Sequence, residues 1–147
     1  MAQEKPQVLP DMKAFNRQII DEFRATRGQL SGRMAGRQVL LLTTKGARSG
    51  EPRTAVVGYR RSGRVFAVIA SANGAAAHPA WYINLLADPH ATIEVGPEKL
   101  EVRARTVKGK EREKLAKVVE YFATEQQKTT REIPVVALEP VRSPKRR

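Results

Sequence analysis

The chain has 147 residues, with 27 Lys and Arg against 15 Asp and Glu, a formal net charge of +12 at pH 7. That length supports one packed core, and the 41% hydrophobic content recurs along the whole chain, which argues against wholesale disorder. Cysteine is absent, which excludes disulfide frameworks, thiolate metal sites and Cys nucleophiles and fits a reducing, cytoplasmic setting.

Residues 1–10 read as a proline-containing lead-in without the apolar stretch of a secretory signal. Asp11 is a candidate helix cap. Phe15, Ile19 and Phe23 then recur every four residues among Arg17, Asp21, Glu22 and Arg24, predicting an amphipathic helix to about Gly28. Gly28, Gly32 and Gly36, interleaved with arginines, read as a flexible connection.

From Gln38 the period becomes that of strands. Gln38–Thr44 reads as a buried strand and Arg53–Arg61 as a second, joined by the turn Ser62-Gly63 to a third at Arg64–Ser71. Its core, Val65–Ala70, is the longest uninterrupted apolar run and is far too short to span a membrane. Ala72–His78 is a small-residue loop. Pro79 then suits the first turn of a short helix through Trp81 and Leu85, stopped by Asp88-Pro89. Ala91–Val95 and Leu100–Val107 are further strands around the turn Gly96–Lys99. Lys110 to about Ala123 is predicted as one charged helix, and Ile133–Leu138 as the last strand. Six hairpin-connected strands with helices at the edges give an α+β, mainly antiparallel sheet or small barrel. The expected division is 1–37 helix and connector, 38–140 barrel domain and 141–147 basic tail.

Much chemistry is missing. There is no dinucleotide or phosphate-loop glycine motif and no Gly-x-Ser-x-Gly. His78 and His90 flank different ends of the Trp81 helix, so no metal site is expected. An enzyme of this composition needs a cofactor to carry its reaction.

Two segments invite a ligand. In Leu40–Arg53 a buried strand runs into a turn with Gly46 and Gly50, surrounded by Lys45, Arg48, Ser49 and Arg53. Exposed N–H groups, a hydroxyl and guanidinium forks together suit an anion, although a plain basic hairpin tip has the same composition. In Pro79–Pro89, Trp81, Asn84 and Leu85 share one helical face. An indole beside a carboxamide suits a planar heterocycle with one polar edge. The competing reading is a helix anchored to the core by Trp81 and Leu85.

Taken in order, these segments resemble the deazaflavin-dependent nitroreductase family, whose fold is the split β-barrel of flavin-binding pyridoxamine-phosphate-oxidase-like proteins. The markers are Leu40–Arg53, the Ala70-Ser71 strand end, Pro79–Leu85 with Ala87–Pro89, Glu111-Arg112 and Thr129–Val136. The resemblance implies an F420-dependent oxidoreductase. Arg48, Ser49 and Arg53 would hold the phosphate and the start of the oligoglutamate tail of coenzyme F420, with Lys45 and the backbone of Ala47 and Gly50 lining the same groove. Val56 and Val57 would lie along the deazaflavin, Ser71, Ala72 and Asn73 near its polar edge, and Trp81 and Asn84 would close the pocket.

The implied reaction is hydride transfer from the deazaflavin C5 to a quinone, enone, enoate or similar acceptor near Phe122 and Glu125. No general acid is assigned; Tyr121 and Glu125 are the nearest candidates by family position, beside solvent and substrate. This chain departs from the family at Ala47, where a basic residue is usual, and at Ala72-Asn73. It departs again at Val119, Phe122 and Glu125, where nitroimidazole reducers carry tyrosines. The alternatives are the same barrel holding FMN, or a basic protein touching nucleic acid through the Arg142–Arg147 tail. Peripheral membrane contact by the 11–27 helix is a further possibility, and the assembly is expected to be a monomer or homodimer.

Overall fold

Along β1 (Val39–Lys45) Leu40, Leu42 and Thr44 face one side of the sheet and Leu41 the other, and all four are buried. A strand covered on both faces reads as a continuous apolar run. The computed structural model describes residues 9–141, with side chains from residue 14 onward. The first eight residues of the expected lead-in, the Asp11 side chain and the Arg142–Arg147 tail lie outside the described residues.

After α1 (Leu9–Thr26) and a 3₁₀ turn at Gly32–Met34, β1 pairs with β2 (Pro52–Gly58) from Lys45↔Pro52 to Val39↔Gly58. Next come β3 (Arg60–Ser62), β4 (Val65–Ile69), α2 (Ala80–Ala87), β5 (His90–Val95) and β6 (Glu98–Thr106). The chain finishes with α3 (Gly109–Val118), α4 (Phe122–Gln126) and β7 (Val135–Pro140). All seven strands form one antiparallel sheet in the order β2-β1-β5-β6-β7-β4-β3.

That order carries the main correction to the expected six strands. The run Arg53–Arg61 is two strands, parted at Tyr59. β2 and β3 are the two ends of the sheet, yet a single residue joins them, so the sheet has to curl back on itself. Curling makes the split barrel. Its interior holds Leu40, Leu42, Val57, Phe66, Val68, Ile93, Val102, Val136 and Leu138, closed by Tyr82 and Leu85 of α2.

The outer face is covered in two places. Ile19 and Phe23 of α1 are buried, and Arg24 grips Glu94 of β5 with two bonds of 3.0 and 2.8 Å. Much of the apolar stripe of this helix is therefore spent on the barrel, leaving Ile20 half-buried and Phe15 exposed among its described large apolar residues. No helix among the described residues is long and apolar enough to cross a membrane. On the far side, α3 and α4 cover Ala67, Ile69, Val135 and Ala137 with Leu115, Val119 and Phe122.

Here the expected single helix 110–123 breaks. Val119 takes an extended conformation (φ −89°, ψ 91°), and Arg60 holds Glu120 through bonds of 2.9 and 2.6 Å. Smaller shifts occur elsewhere: the hairpin turns are Gly63-Arg64 and Gly96-Pro97, and the last strand begins at Val135.

Candidate functional site

Six residues, Gly46–Glu51, connect β1 to β2 and form the cationic loop. The Gly46 N–H donates to the Glu51 carbonyl (2.8 Å) and the Gly50 N–H to the Gly46 carbonyl (2.9 Å). Ser49 Oγ folds back and accepts from the Glu51 N–H at 3.1 Å. A Cβ at 46 would stand 2.7 Å from Ser49 Oγ and 3.2 Å from the Glu51 carbonyl oxygen, so a side chain there would push the Ser49 hydroxyl aside. Arg24, Arg60, Arg105, Arg112 and Lys128 all have carboxylate partners. Among the described residues, Lys45, Arg48 and Arg53 have none.

Asn84 of α2 staples this loop to the barrel. Its Oδ1 accepts from the Ala47 N–H at 2.9 Å and its Nδ2 donates to Thr44 Oγ1 at 3.0 Å, with both side chains buried. The carboxamide thus shapes the loop, while Trp81, one turn earlier, supplies the wall. The loop, Thr54, Ala55, Ala80, Trp81, Ile83 and Asn84 enclose a cavity of about 490 Å³.

Trp81 also borders a second cavity of about 230 Å³, between Val56 and Val57 of β2 and the turn Ser71–Asn73. Val56, Gly58, Ser71, Asn73 and Tyr121 continue from there into a third cavity of about 640 Å³. Its remaining walls are Met34, Gly36, Arg37, Gln38, Val39, Arg60 and Glu125. Trp81 is a wall common to the first and second, and Val56, Gly58, Ser71, Asn73 and Tyr121 to the second and third. The three thus adjoin in a row, called the groove: cationic at one end, apolar and aromatic in the middle, polar at the other.

The far end has its own electrostatics. Burial raises the Tyr121 phenol above its ordinary value of 10.0, with the Arg60 guanidinium, 5.1 Å from the ring centroid, opposing the shift. Tyr121 approaches so closely that a Cβ on Gly58 would lie 2.8 Å from its hydroxyl. Glu125 pairs with Lys128 through Oε2 at 2.9 Å, whereas its Oε1 is buried with no hydrogen-bond partner among the described residues. No cluster among the described residues has the composition to hold a metal ion.

Against this geometry, the sequence model of the F420H(2)-dependent quinone reductase family matches residues 15–140. The chain belongs to that family. It is 36% identical over 124 residues to an F420H(2)-dependent quinone reductase of Mycobacterium tuberculosis, covering 79% of this chain and 83% of the relative. The solved F420-H2 dependent reductase FDR-A superposes with a TM-score of 0.63 at 34% identity, over 70% of this chain and 95% of that one. A Listeria innocua protein assigned as a pyridoxamine 5′-phosphate oxidase has a TM-score of 0.52 at 11% identity, over 83% and 93% of the two chains. That likeness concerns the split-barrel fold alone.

Membership makes the chain an F420-dependent oxidoreductase. The donor set fits the cofactor: unpaired cations and a glycine cradle suit its phosphate and carboxylates, and Val56, Val57 and Trp81 offer walls to a flat ring. Of the residues singled out from sequence, Ala47, Arg48, Ser49, Arg53 and Asn84 line the first cavity, and Val56, Val57, Ser71, Ala72, Asn73 and Trp81 the second. Gly50 within the loop and Lys45 at the end of β1 do not line the cavity. Phe122 is not brought to the groove; it packs under the Arg112 guanidinium in the outer layer. Sequence reasoning missed Met34, Arg37, Gln38, Gly58 and Arg60. Of these only Gly58, a glycine inside a strand, carried a signal of close backbone approach.

Proposed function

We propose that the chain reduces quinones with a hydride from F420H2, and that the long groove holds the cofactor with its tail at the Gly46–Arg53 loop and its ring between Val56 and Trp81. The observation that supports this most is the row of adjoining cavities from Arg48 and Arg53, which have no carboxylate partner among the described residues, to the partly buried Tyr121 phenol. When bound, the reduced deazaflavin supplies a hydride from C5. Arg48, Arg53 and Ser49, with Lys45 and the Ala47 and Gly50 backbone beside them, bind the phosphate and the start of the tail. Ser71, Ala72 and Asn73 meet the polar edge of the ring.

Quinone reduction to the quinol needs a proton as well as the hydride. Tyr121, kept protonated by burial, is the group we assign to give it, and Glu125, one helical turn on, to return it from solvent. The acceptor lies in the section lined by Arg37, Gln38 and Arg60, so the connector 34–38 belongs functionally with the barrel residues 38–140. Enones and enoates share the required electrophilic geometry and enter as slower alternatives.

The decisive experiment is a fluorescence titration of F420, followed by oxidation of F420H2 with a short-chain naphthoquinone. Saturable binding and quinone-dependent oxidation are expected. Absence of F420 binding, or binding of FMN alone, refutes the reading.

A further inference from the structure

The segment Thr129–Val136 stood out in the sequence, yet none of the groove walls uses its arginine. Arg131 instead reaches behind the ring section. Its Nε donates to the Ala75 carbonyl (3.1 Å), Nη1 to the Ala70 carbonyl (3.2 Å) and Nη2 to the Ser71 carbonyl (2.9 Å). Nη1 also lies 2.8 Å from His78 Nδ1, which must accept because a guanidinium has only donors. Arg131 is itself fixed: its carbonyl accepts from Gln126 Nε2 at 2.7 Å, and its N–H donates to Thr129 Oγ1 at 3.1 Å.

What Arg131 grips is a strained turn. Ala72 (φ 50°), Asn73 (φ 56°) and Gly74 (φ 83°) follow one another in the left-handed region, where non-glycine residues are disfavoured. Such backbone persists only when its surroundings over-determine it. Gly74 adds a second constraint, since a Cβ there would stand 2.5 Å from Lys128 Cβ. Because a trans peptide sets its N–H opposite its C=O, turning the Ala70 and Ser71 carbonyls to Arg131 directs the Ser71 and Ala72 N–H groups away from it. Neither N–H has a hydrogen-bond partner among the described residues. Both residues line the groove.

We propose that Arg131 is a positioning residue, which holds the 70–75 turn in its strained form and so presents the Ser71 and Ala72 N–H groups to the ligand of the ring section. This rests on the F420 reading only for the identity of that ligand. Arg131 touches neither cofactor nor acceptor and acts through the turn alone.

The test uses the full chain and the variants Arg131→Met, Arg131→Lys and His78→Phe. First, amide exchange of Gly74 and Ala75 is followed in the protein alone. These amides bond within the turn, to Ser71 and Ala72, and are expected to exchange at least about tenfold faster in Arg131→Met. Arg131→Lys keeps the charge but lacks the fork, so exchange there should stay fast; His78→Phe, losing one acceptor of four, should show roughly a threefold change.

Second, F420 titration should show about tenfold weaker binding in Arg131→Met, with the KM for F420H2 rising and kcat at saturation nearly kept. Added methylguanidinium should restore part of the affinity. Unchanged exchange in both Arg131 variants overturns the clamp. Fast exchange with F420 affinity within twofold of the parent overturns its role in binding. If the parent protein binds no F420, the functional reading fails instead, and the exchange arm still decides the clamp. Should Arg131→Met not fold, Arg131→Lys and His78→Phe supply the same readings.

Discussion

The two ends of the groove are built by opposite strategies. The cationic end comes from one hairpin of contiguous sequence, Lys45 to Arg53, whose charged side chains are exposed and unpaired. The polar end gathers residues from the connector, β2, the 71–73 turn and α4 around a partly buried phenol, with Arg60 already paired to Glu120. Exposed cations act over distance and tolerate small errors of placement; proton and hydride chemistry in a half-buried site tolerates very little. Binding strength should therefore reside at the first end and turnover at the second.

The largest expected effect breaks this division at its strong end. Arg48→Ala with Arg53→Ala should weaken F420 binding about a hundredfold, two charge-assisted contacts of roughly 1.5 kcal/mol each. A salt series on the parent should weaken binding in the same direction. If kcat at saturating cofactor falls as steeply as affinity, the division is wrong.

Next in size is Asn84→Leu, which sharpens the comparison by leaving every cation in place. It strands the Ala47 N–H and the Thr44 hydroxyl and should cost about 1–3 kcal/mol of stability in denaturant unfolding. F420 affinity should fall about tenfold as the loop loses its anchor.

At the other end, Tyr121→Phe should lower kcat by about tenfold and leave F420 affinity unchanged, measured by steady-state kinetics and titration. Its phenol titrates above 10, so no loss of rate from Tyr121 should appear between pH 6 and 9. A Tyr121-dependent limb in that range would remove the phenol as proton donor.

The smallest effect concerns Glu120. Its hydrogen bond from Arg60 holds its carboxyl below the ordinary 4.5, and Glu111 is held down in the same way by Arg105. A lowered folded value means stability present above about 4.5 and lost as pH falls through the folded value. Glu120→Gln should flatten part of that acid-side loss in thermal melts, by lowering the melting temperature slightly at pH 7 and leaving it unchanged at acid pH.

Legibility in the sequence follows the same split. The Gly46–Arg53 hairpin could be read residue by residue, because a turn, its glycines and its charges are neighbours along the chain. Strands and the Trp81 helix were readable from alternation and from Pro79 and Asp88-Pro89. The break at Tyr59 was not, since a glycine inside an apolar run, Gly58, marks a close approach as readily as a strand end, and only the sheet order shows that β2 and β3 lie at opposite edges. Nor was the break at Val119, where burial under α3 and the Arg60 grip on Glu120 overrule a good helical pattern. Asn84 lines the first cavity as the sequence predicts, but that its amide also ties the loop to the barrel, through Ala47 and Thr44, is visible only in the fold.

The opening excess of positive charge shows the same division. Sequence alone located eight of the twelve net charges between Arg17 and Arg64 and the anion-binding composition of the β1–β2 turn. Only the tertiary structure decided where those cations end up, because pairing and placement depend on elements distant in sequence: Glu94 takes Arg24, Glu120 takes Arg60, and Arg48 and Arg53, without a carboxylate partner among the described residues, face the first cavity. Chain order dictates what a local turn contains. Closure of the sheet dictates what that turn faces.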